Sequence, residues 1–308
     1  MPLNTTTPEF KLQPAAVDWG TQKTQATVTL PVALVAVLAA AHFHVSPGAG
    51  VVFILNGVLV GLITAEVTGR FGNRLGAAPS VWAALIYAVL TAAAQTPWSI
   101  TRSASTALFL FSIFCYLRYR STREQAVLQG GLGAAGLALL TSVVSTTIPL
   151  VVLAAELLLP YAPKATLAAD NRLRGWMAVM LYFVVLCFVG SVGMLAPHSV
   201  PMIDQHQAIV FDPGNIMVLL KPASLPLLAI YAATGVCALA FGSISLFAFC
   251  AIWFVADYAD ASLLAAPLSI ALAALALPVT RALPKRTATI AMYVGMILLT
   301  AFIIVHVL

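Results

Sequence analysis

Charged residues are scarce in this chain: they make up 8% of its 308 residues, whereas 61% are hydrophobic. A soluble domain usually carries about 25% charged residues, because its surface faces water. The shortage of charge therefore excludes an ordinary soluble domain. Apolar runs of about 20 residues recur from residue 26 onward, and each is long enough to cross about 30 Å of hydrocarbon. Lipid offers no hydrogen-bond partners to the backbone, so these runs are predicted to be helices.

Cysteines are also few, and their spacing does not fit a metal site. Cys115, Cys187, Cys237 and Cys250 all lie in apolar runs, which predicts small core residues. A cleavage pattern is missing after the first apolar run, and the preceding residues are polar. Residues 1–25 are therefore expected to form a cytoplasmic tail instead of a signal peptide.

The apolar runs predict an all-α, polytopic integral membrane helix bundle of about eleven transmembrane helices, with residues 26–308 forming a single domain. Pro149 disfavours a continuous helix over 125–159, and Gly242-Ser243 is the expected turn within 216–255. The predicted spans are 26–43, 49–69, 77–95, 103–117, 125–142, 145–159, 175–195, 216–240, 242–255, 262–277 and 287–308.

The net charge of +5 comes from Lys and Arg in the short segments between predicted spans. With the tail inside, eleven spans place these basic loops on the cytoplasmic side and the longest loop, 196–215, outside. The basic residues thus indicate topology, and no nucleic-acid partner is expected. We expect an integral protein of a bacterial inner membrane with a cytoplasmic N-terminus. The basic loops contain Arg70 and Arg74; Arg118, Arg120 and Arg123; Lys164, Arg172 and Arg174; and Arg281, Lys285 and Arg286.

Three polar residues, Asn56, Glu66 and Glu156, lie inside predicted spans, where an ionisable side chain is a functional candidate by default. Glu66 precedes Arg70 by four residues, the spacing of a helical ion pair, which favours a structural role. Glu156 has Lys164 or the arginines at 172 and 174 as predicted partners. No predicted span carries a centred chain of ionisable residues, which argues against an ion-coupled transporter.

The predicted outer face holds further candidates. Asp204 and His206 could contribute to a divalent-metal site, because carboxylate and imidazole are common ligands, or could be solvated loop residues. Arg102, beside Trp98, could bind a lipid phosphate through its guanidinium fork, or could anchor its helix at the membrane interface.

Residues 49–280 carry a series of motifs in a characteristic order. Asn56 near a helix start is followed by Arg70 and Arg74, an Ala-rich helix at 83–94, the stretch Gln95-Thr96-Pro97-Trp98-Ser99-Ile100-Thr101-Arg102, and a helix ending Tyr116-Leu117-Arg118. Pro149 and Glu156-Leu157 follow in paired helices, and Ile252-Trp253-Phe254 closes a later one. This order resembles the membrane core of the C-type glycosyltransferase superfamily, nearest to its protein O-mannosyltransferase-like members.

The chain departs from that family where catalysis is concerned. The family carries its catalytic Asp on a large first outer loop, whereas the corresponding loop here, about 44–48, has no carboxylate. Glycosyl transfer to a hydroxyl needs a carboxylate to accept its proton. Asp204 and Asp212 on the 196–215 loop are the candidate replacements, and a divalent metal is expected only if the protein is an enzyme.

The sequence therefore predicts a non-catalytic integral membrane subunit or scaffold with a degenerate glycosyltransferase-like core and no cofactor. It would pack against partner membrane proteins and could hold a lipid. One alternative is an active glycosyltransferase that uses a polyprenyl-phosphate-linked sugar. A second is a small-molecule transporter, which only Asn56 and the polar cluster at 142–147 support.

Overall fold

A computed structural model of the protein describes residues 47–71, 78–93, 100–161, 168–195, 244–256 and 261–274, with single positions between 283 and 301. Several predicted features lie outside the described residues: the tail 1–25, the spans 26–43 and 216–240, the loop 196–215, and the candidate residues Trp98, Asp204, His206 and Asp212. The backbone of Arg102 is described, but its side chain is not.

The described elements are helical throughout, which confirms the predicted all-α class for this part of the chain. A 3₁₀ helix, Val143–Thr147, separates the fourth and fifth α-helices. The α-helices are α1 (Pro47–Arg70), α2 (Ala78–Ala93), α3 (Ile100–Thr122), α4 (Gln125–Thr141), α5 (Ile148–Leu158), α6 (Ala168–Leu195), α7 (Ile244–Ala256) and α8 (Ala261–Ala273).

The predicted break within 125–159 is confirmed. α4 ends at Thr141, and α5 begins at Ile148 with Pro149 in its first turn. A proline is tolerated there because the first N–H groups of a helix have no intrahelical acceptor. The end of α5 returns to the end of α3, where Arg120 contacts the carbonyl of Leu159. α4 therefore leads away from the end of α3, and α5 returns to it.

Two helices extend further than predicted into basic segments that the sequence assigned to loops. α3 continues to Thr122, so Arg118 and Arg120 are helical, and α6 begins at Ala168, so Arg172 is helical as well. The loop assignment was wrong for these arginines, because an apolar run marks only the part of a helix that can cross hydrocarbon. Arginine is itself a good helix former.

Within the described residues, two helices are long and apolar enough to cross a membrane: Gly50–Arg70 within α1 and Arg172–Val192 within α6, each with a mean hydropathy of 2.1. Four shorter apolar segments, of 10–17 residues, lie at Ala78–Ala88, Gln125–Thr141, Ser145–Leu158 and Ile244–Ala256 of the described chain. Length and composition thus give weak support for association with a membrane.

The core lies where α3 packs against α1, α4 and α5, while α2 packs on α1 and α8, and α7 on α5 and α8. Trp253 of α7 is fully buried, with its ring centroid 5.7 Å from that of Phe249 and 6.3 Å from that of Phe109 of α3. These aromatic contacts attach α7 to the centre of the bundle.

The cysteines divide between the core and the surface. Cys115 and Cys250 are buried and reduced, as predicted. Cys187 is exposed, so the prediction of a core residue was wrong there. The reason is that α6 buries only the face that carries Ala178, Val179 and Tyr182. Cys237 lies outside the described residues.

Candidate functional site

Buried charged side chains gather at one end of the bundle, where the C-terminal ends of α1, α3 and α5 meet. Arg120 of α3 is completely buried and donates to the carbonyls of Ala155 (2.9 Å) and Leu159 (2.8 Å) at the end of α5. The Ala155 carbonyl also accepts the Leu159 N–H at 3.1 Å, so this guanidinium adds further donors at the end of α5 and caps it from a neighbouring helix.

Glu156 of α5 forms a buried ion pair with Arg120. Arg120 Nε lies 2.9 Å from Glu156 Oε2, and the two side chains are 0% and 2% exposed. Tyr116 donates to the same oxygen at 2.7 Å, and Tyr161 donates to Oε1. Burial raises the pKa of the Tyr161 hydroxyl and the hydrogen bond to Glu156 raises it further, so Tyr161 remains a donor.

The partner of Glu156 differs from the prediction. We expected Lys164 or the arginines at 172 and 174, which are near in sequence, whereas the observed ion pair is with Arg120 of α3. Packing of α3 against α5 brings the two side chains together across a long stretch of chain. Lys164 lies outside the described residues.

Glu66 of α1 is also paired across helices. Its Oε1 lies 2.9 Å from Arg118 Nη1, and Ser121 donates to its Oε2 at 3.0 Å. Arg118 is 33% exposed, so this pair lies nearer the surface than the Glu156 pair. The predicted pairing of Glu66 with Arg70 was wrong, because Arg70 Nε donates instead to the backbone carbonyl of Glu66 at 3.2 Å.

Arg70 ends α1 and is buried, but its hydrogen bonds go to uncharged acceptors. Beyond the Glu66 carbonyl, it donates to the carbonyls of Leu117 (2.5 Å) and Pro160 (3.3 Å) and to the Ser121 hydroxyl (3.2 Å). The guanidiniums of Arg70, Arg118 and Arg120 thus lie with the carboxylates of Glu66 and Glu156, and these five side chains carry one positive charge in excess.

Tyr161, just after α5, lies among guanidiniums. Arg120 Cζ is 4.3 Å and Arg123 Cζ is 5.4 Å from the centroid of its ring, within the range of cation–π attraction. Arg123 occupies the turn between α3 and α4 with φ 64°, a conformation that is uncommon outside glycine. Its side chain also stacks near Tyr119, at 5.5 Å.

A cleft of about 800 Å³ opens beside this cluster. Phe71, Pro160 and Tyr161 form part of its wall, and Arg172 and Trp176 of α6 form another part. α6 approaches closely because residue 175 is glycine: a Cβ there would overlap the Glu156 carboxylate and the Tyr161 hydroxyl. Gly175 therefore allows α6 to sit against the charged cluster.

Asn56 belongs to a different part of the bundle. It is buried on α1, ten residues before Glu66, and its Nδ2 donates to the carbonyl of Ser103 in the first turn of α3 at 3.1 Å. Its Oδ1 is buried and has no hydrogen-bond partner among the residues that the structure describes. The structure thus unites Glu66 and Glu156 at one end and leaves Asn56 about 15 Å along the helix.

Within the described part of the chain, no group of three or more His, Cys, Asp or Glu side chains could hold a metal ion. The predicted metal candidates Asp204 and His206 lie outside it.

Tyr116, Arg120 and Tyr161 were not predicted to be parts of the site. A local signal existed for two of them, because Tyr116 and Arg120 are four residues apart and share one face of α3. Neither spacing nor composition indicated that this face meets Glu156.

Comparison of the chain with family models, with curated proteins and with solved structures finds no match in any of the three. The resemblance to the C-type glycosyltransferases therefore stays a prediction.

Proposed function

We propose that the protein is a polytopic integral membrane subunit that packs against partner membrane proteins, holds a lipid, and has no transferase activity of its own. The observation that carries this proposal is that Glu66 and Glu156, the buried carboxylates of the described residues, both join helices. Each oxygen of Glu66 and of Glu156 already contacts a donor from another part of the chain. A general base must instead be able to reach the proton of an acceptor.

The same proposal retains the eleven-span topology, with a core that is a degenerate relative of the glycosyltransferase-like bundle. The meeting of the ends of α1, α3 and α5 supports it, because the proposed topology places the segments after these three helices on one side. The paired arginines at this end would then lie near the cytoplasmic face.

Cysteine labelling tests this topology. Single cysteines at Arg123, Arg172 and Arg286, in a background whose four native cysteines are alanine, are expected to react only from the cytoplasmic side of intact cells or vesicles. A cysteine in the 196–215 loop serves as the control for the opposite side. Labelling of any of the three arginine positions from outside would contradict eleven spans.

α6 offers the surface for a partner. In its most apolar stretch only 22% of the residues are buried, against 61% in the corresponding stretch of α1. Met180 (57%), Val184 (60%) and Phe188 (69%) are exposed along one face of this helix. Large apolar patches of this kind are typical of interaction surfaces or of lipid contact, and we propose that a partner helix covers this one.

Co-purification from gently solubilised membranes tests the subunit role. The wild-type protein is expected in a stoichiometric complex, and the triple variant Met180→Ala, Val184→Ala, Phe188→Ala is expected to bind the partner about tenfold more weakly or worse. The matched control replaces three exposed apolar residues of α4 and α5, namely Leu137, Leu140 and Leu150. Equal retention of the partner by both triple variants would exclude the α6 surface.

A lone protein with transferase activity would overturn the proposal. The assay supplies a polyprenyl-phosphate-linked sugar, a divalent metal and a hydroxyl acceptor. Turnover that falls by about 10²–10⁴ in Asp204→Asn or Asp212→Asn would establish the enzyme and identify its base.

A further inference from the structure

The cleft beside the charged cluster has the composition of an anion site with an apolar mouth. Its wall includes Arg172, while Trp176 and Leu157 contribute apolar surface and are 38% and 61% exposed. Arg172 and Trp176 are four residues apart and therefore share one face of α6. A cation and a tryptophan on one helix face are typical of the region where lipid headgroups meet acyl chains.

Behind the wall, the described charged cluster holds the guanidiniums of Arg70, Arg118 and Arg120 but only the two carboxylates of Glu66 and Glu156, which both attract Arg70. Arg70 contacts the carbonyl of Pro160, a wall residue, and all its hydrogen bonds run to uncharged acceptors. The carboxylates of the cluster are already matched with Arg118 and Arg120. A buried charge is costly without a counter-charge, and Coulomb attraction is strong where water is excluded, so an anion in the cleft would be favoured.

Glu156 also lines the cleft, but it does not repel an anion as a free carboxylate would. Its Oε2 is paired with Arg120 at 2.9 Å and accepts from Tyr116, and its Oε1 accepts from Tyr161. Arg120 and Arg123 also lie over the Tyr161 ring, with their Cζ atoms 4.3 Å and 5.4 Å from its centroid.

We infer that this cleft binds a phosphate-bearing anion, with Arg172 at its rim as the direct contact and the excess positive charge of the Arg70, Arg118 and Arg120 cluster behind its wall. Arginine suits this ligand because its planar fork matches two phosphate oxygens. A membrane lipid headgroup and free phosphate share this chemistry. The lipid form of the ligand rests on the membrane role proposed above, whereas the site itself does not.

Two binding measurements on the purified full chain distinguish the sources. Native mass spectrometry compares dioleoylphosphatidylglycerol with dioleoylphosphatidylcholine, and calorimetry in detergent measures inorganic phosphate. Arg172→Gln is expected to weaken binding of the anionic probe about fivefold. The matched control, Arg174→Gln, removes the same charge from an exposed residue of the same helix that does not line the cleft, and it should bind as the wild type does.

Each outcome decides between alternatives. Preference for phosphatidylglycerol that is lost in Arg172→Gln supports a lipid headgroup site, whereas phosphate binding alone supports the cleft but refutes the lipid role. Equal affinities of Arg172→Gln and Arg174→Gln, or no binding of either probe, would overturn the inference. The subunit proposal is tested separately, by the co-purification experiment.

Discussion

Arg120→Met is expected to destabilise the protein by about 3–5 kcal/mol, the effect of removing one partner from a fully buried ion pair. Arg120 is 0% exposed, and it is the residue that pairs with Glu156 and caps the end of α5. Without it, the Glu156 carboxylate stays buried with only the hydroxyls of Tyr116 and Tyr161 as partners. Unfolding in mixed micelles, followed by circular dichroism during titration with SDS, measures the change.

Two controls distinguish the effect of an unpaired buried charge from a general loss of stability. Arg118→Met breaks the other ion pair, but its side chain is 33% exposed, so water replaces much of the lost contact and about 1 kcal/mol or less is expected. The double variant Arg120→Met, Glu156→Met should be more stable than Arg120→Met alone, because the unpaired charge is gone. Equal losses in Arg118→Met and Arg120→Met would contradict the burial of the Glu156 pair.

Gly131→Ala is expected to lower the free energy of unfolding by about 1–3 kcal/mol through overpacking. A Cβ at residue 131 would lie 2.8 Å from Cys115 Cβ and 2.5 Å from the Tyr182 hydroxyl. Cys115 Cβ is fixed to the backbone of α3, and the Tyr182 hydroxyl donates to the carbonyl of Ser112 at 3.2 Å, so neither neighbour yields easily. The same unfolding assay applies.

At the neighbouring glycines of α4, replacement by alanine is not expected to lower the free energy of unfolding. Gly130 and Gly133 have no atoms within 4 Å of an added Cβ, and alanine is favoured over glycine in a helix by about 1 kcal/mol. Gly130→Ala and Gly133→Ala are therefore expected to be neutral or stabilising. Tyr182→Phe should reduce the effect of Gly131→Ala, because it removes one of the two clashing atoms. Equal effects of all three alanines would refute the close packing of α4 on α3 and α6.

Helix positions in the described part of the chain followed closely from local sequence. The predicted run 49–69 corresponds to the observed helix Pro47–Arg70, and the run 125–142 corresponds to Gln125–Thr141. The predicted break before Pro149 is also observed, because proline has no N–H to donate within a helix. The ends of α3 and α6 were predicted less well. Arg118, Arg120 and Arg172 remain helical beyond the apolar run, and hydropathy carries no information about that extension.

The candidate site could be predicted only in part. Glu66 and Glu156 were identified as unusual, because an ionisable residue in an apolar run is rare. Their partners were assigned by nearness in sequence, and both assignments failed. Arg118 and Arg120 reach the two carboxylates from α3, across a packing interface that no local spacing encodes.

The sequence by itself determined the helical class and the strongly apolar character of this protein, because few charges and long apolar runs leave the backbone only its own hydrogen bonds to satisfy. The tertiary structure alone decided which charges meet. In it, Arg120 pairs with Glu156 and Arg118 pairs with Glu66. Arg70 donates its hydrogen bonds to uncharged acceptors beside an open cleft. The physical reason is that hydropathy depends on residues that are adjacent in the sequence. An ion pair depends instead on which faces of separate helices pack against each other.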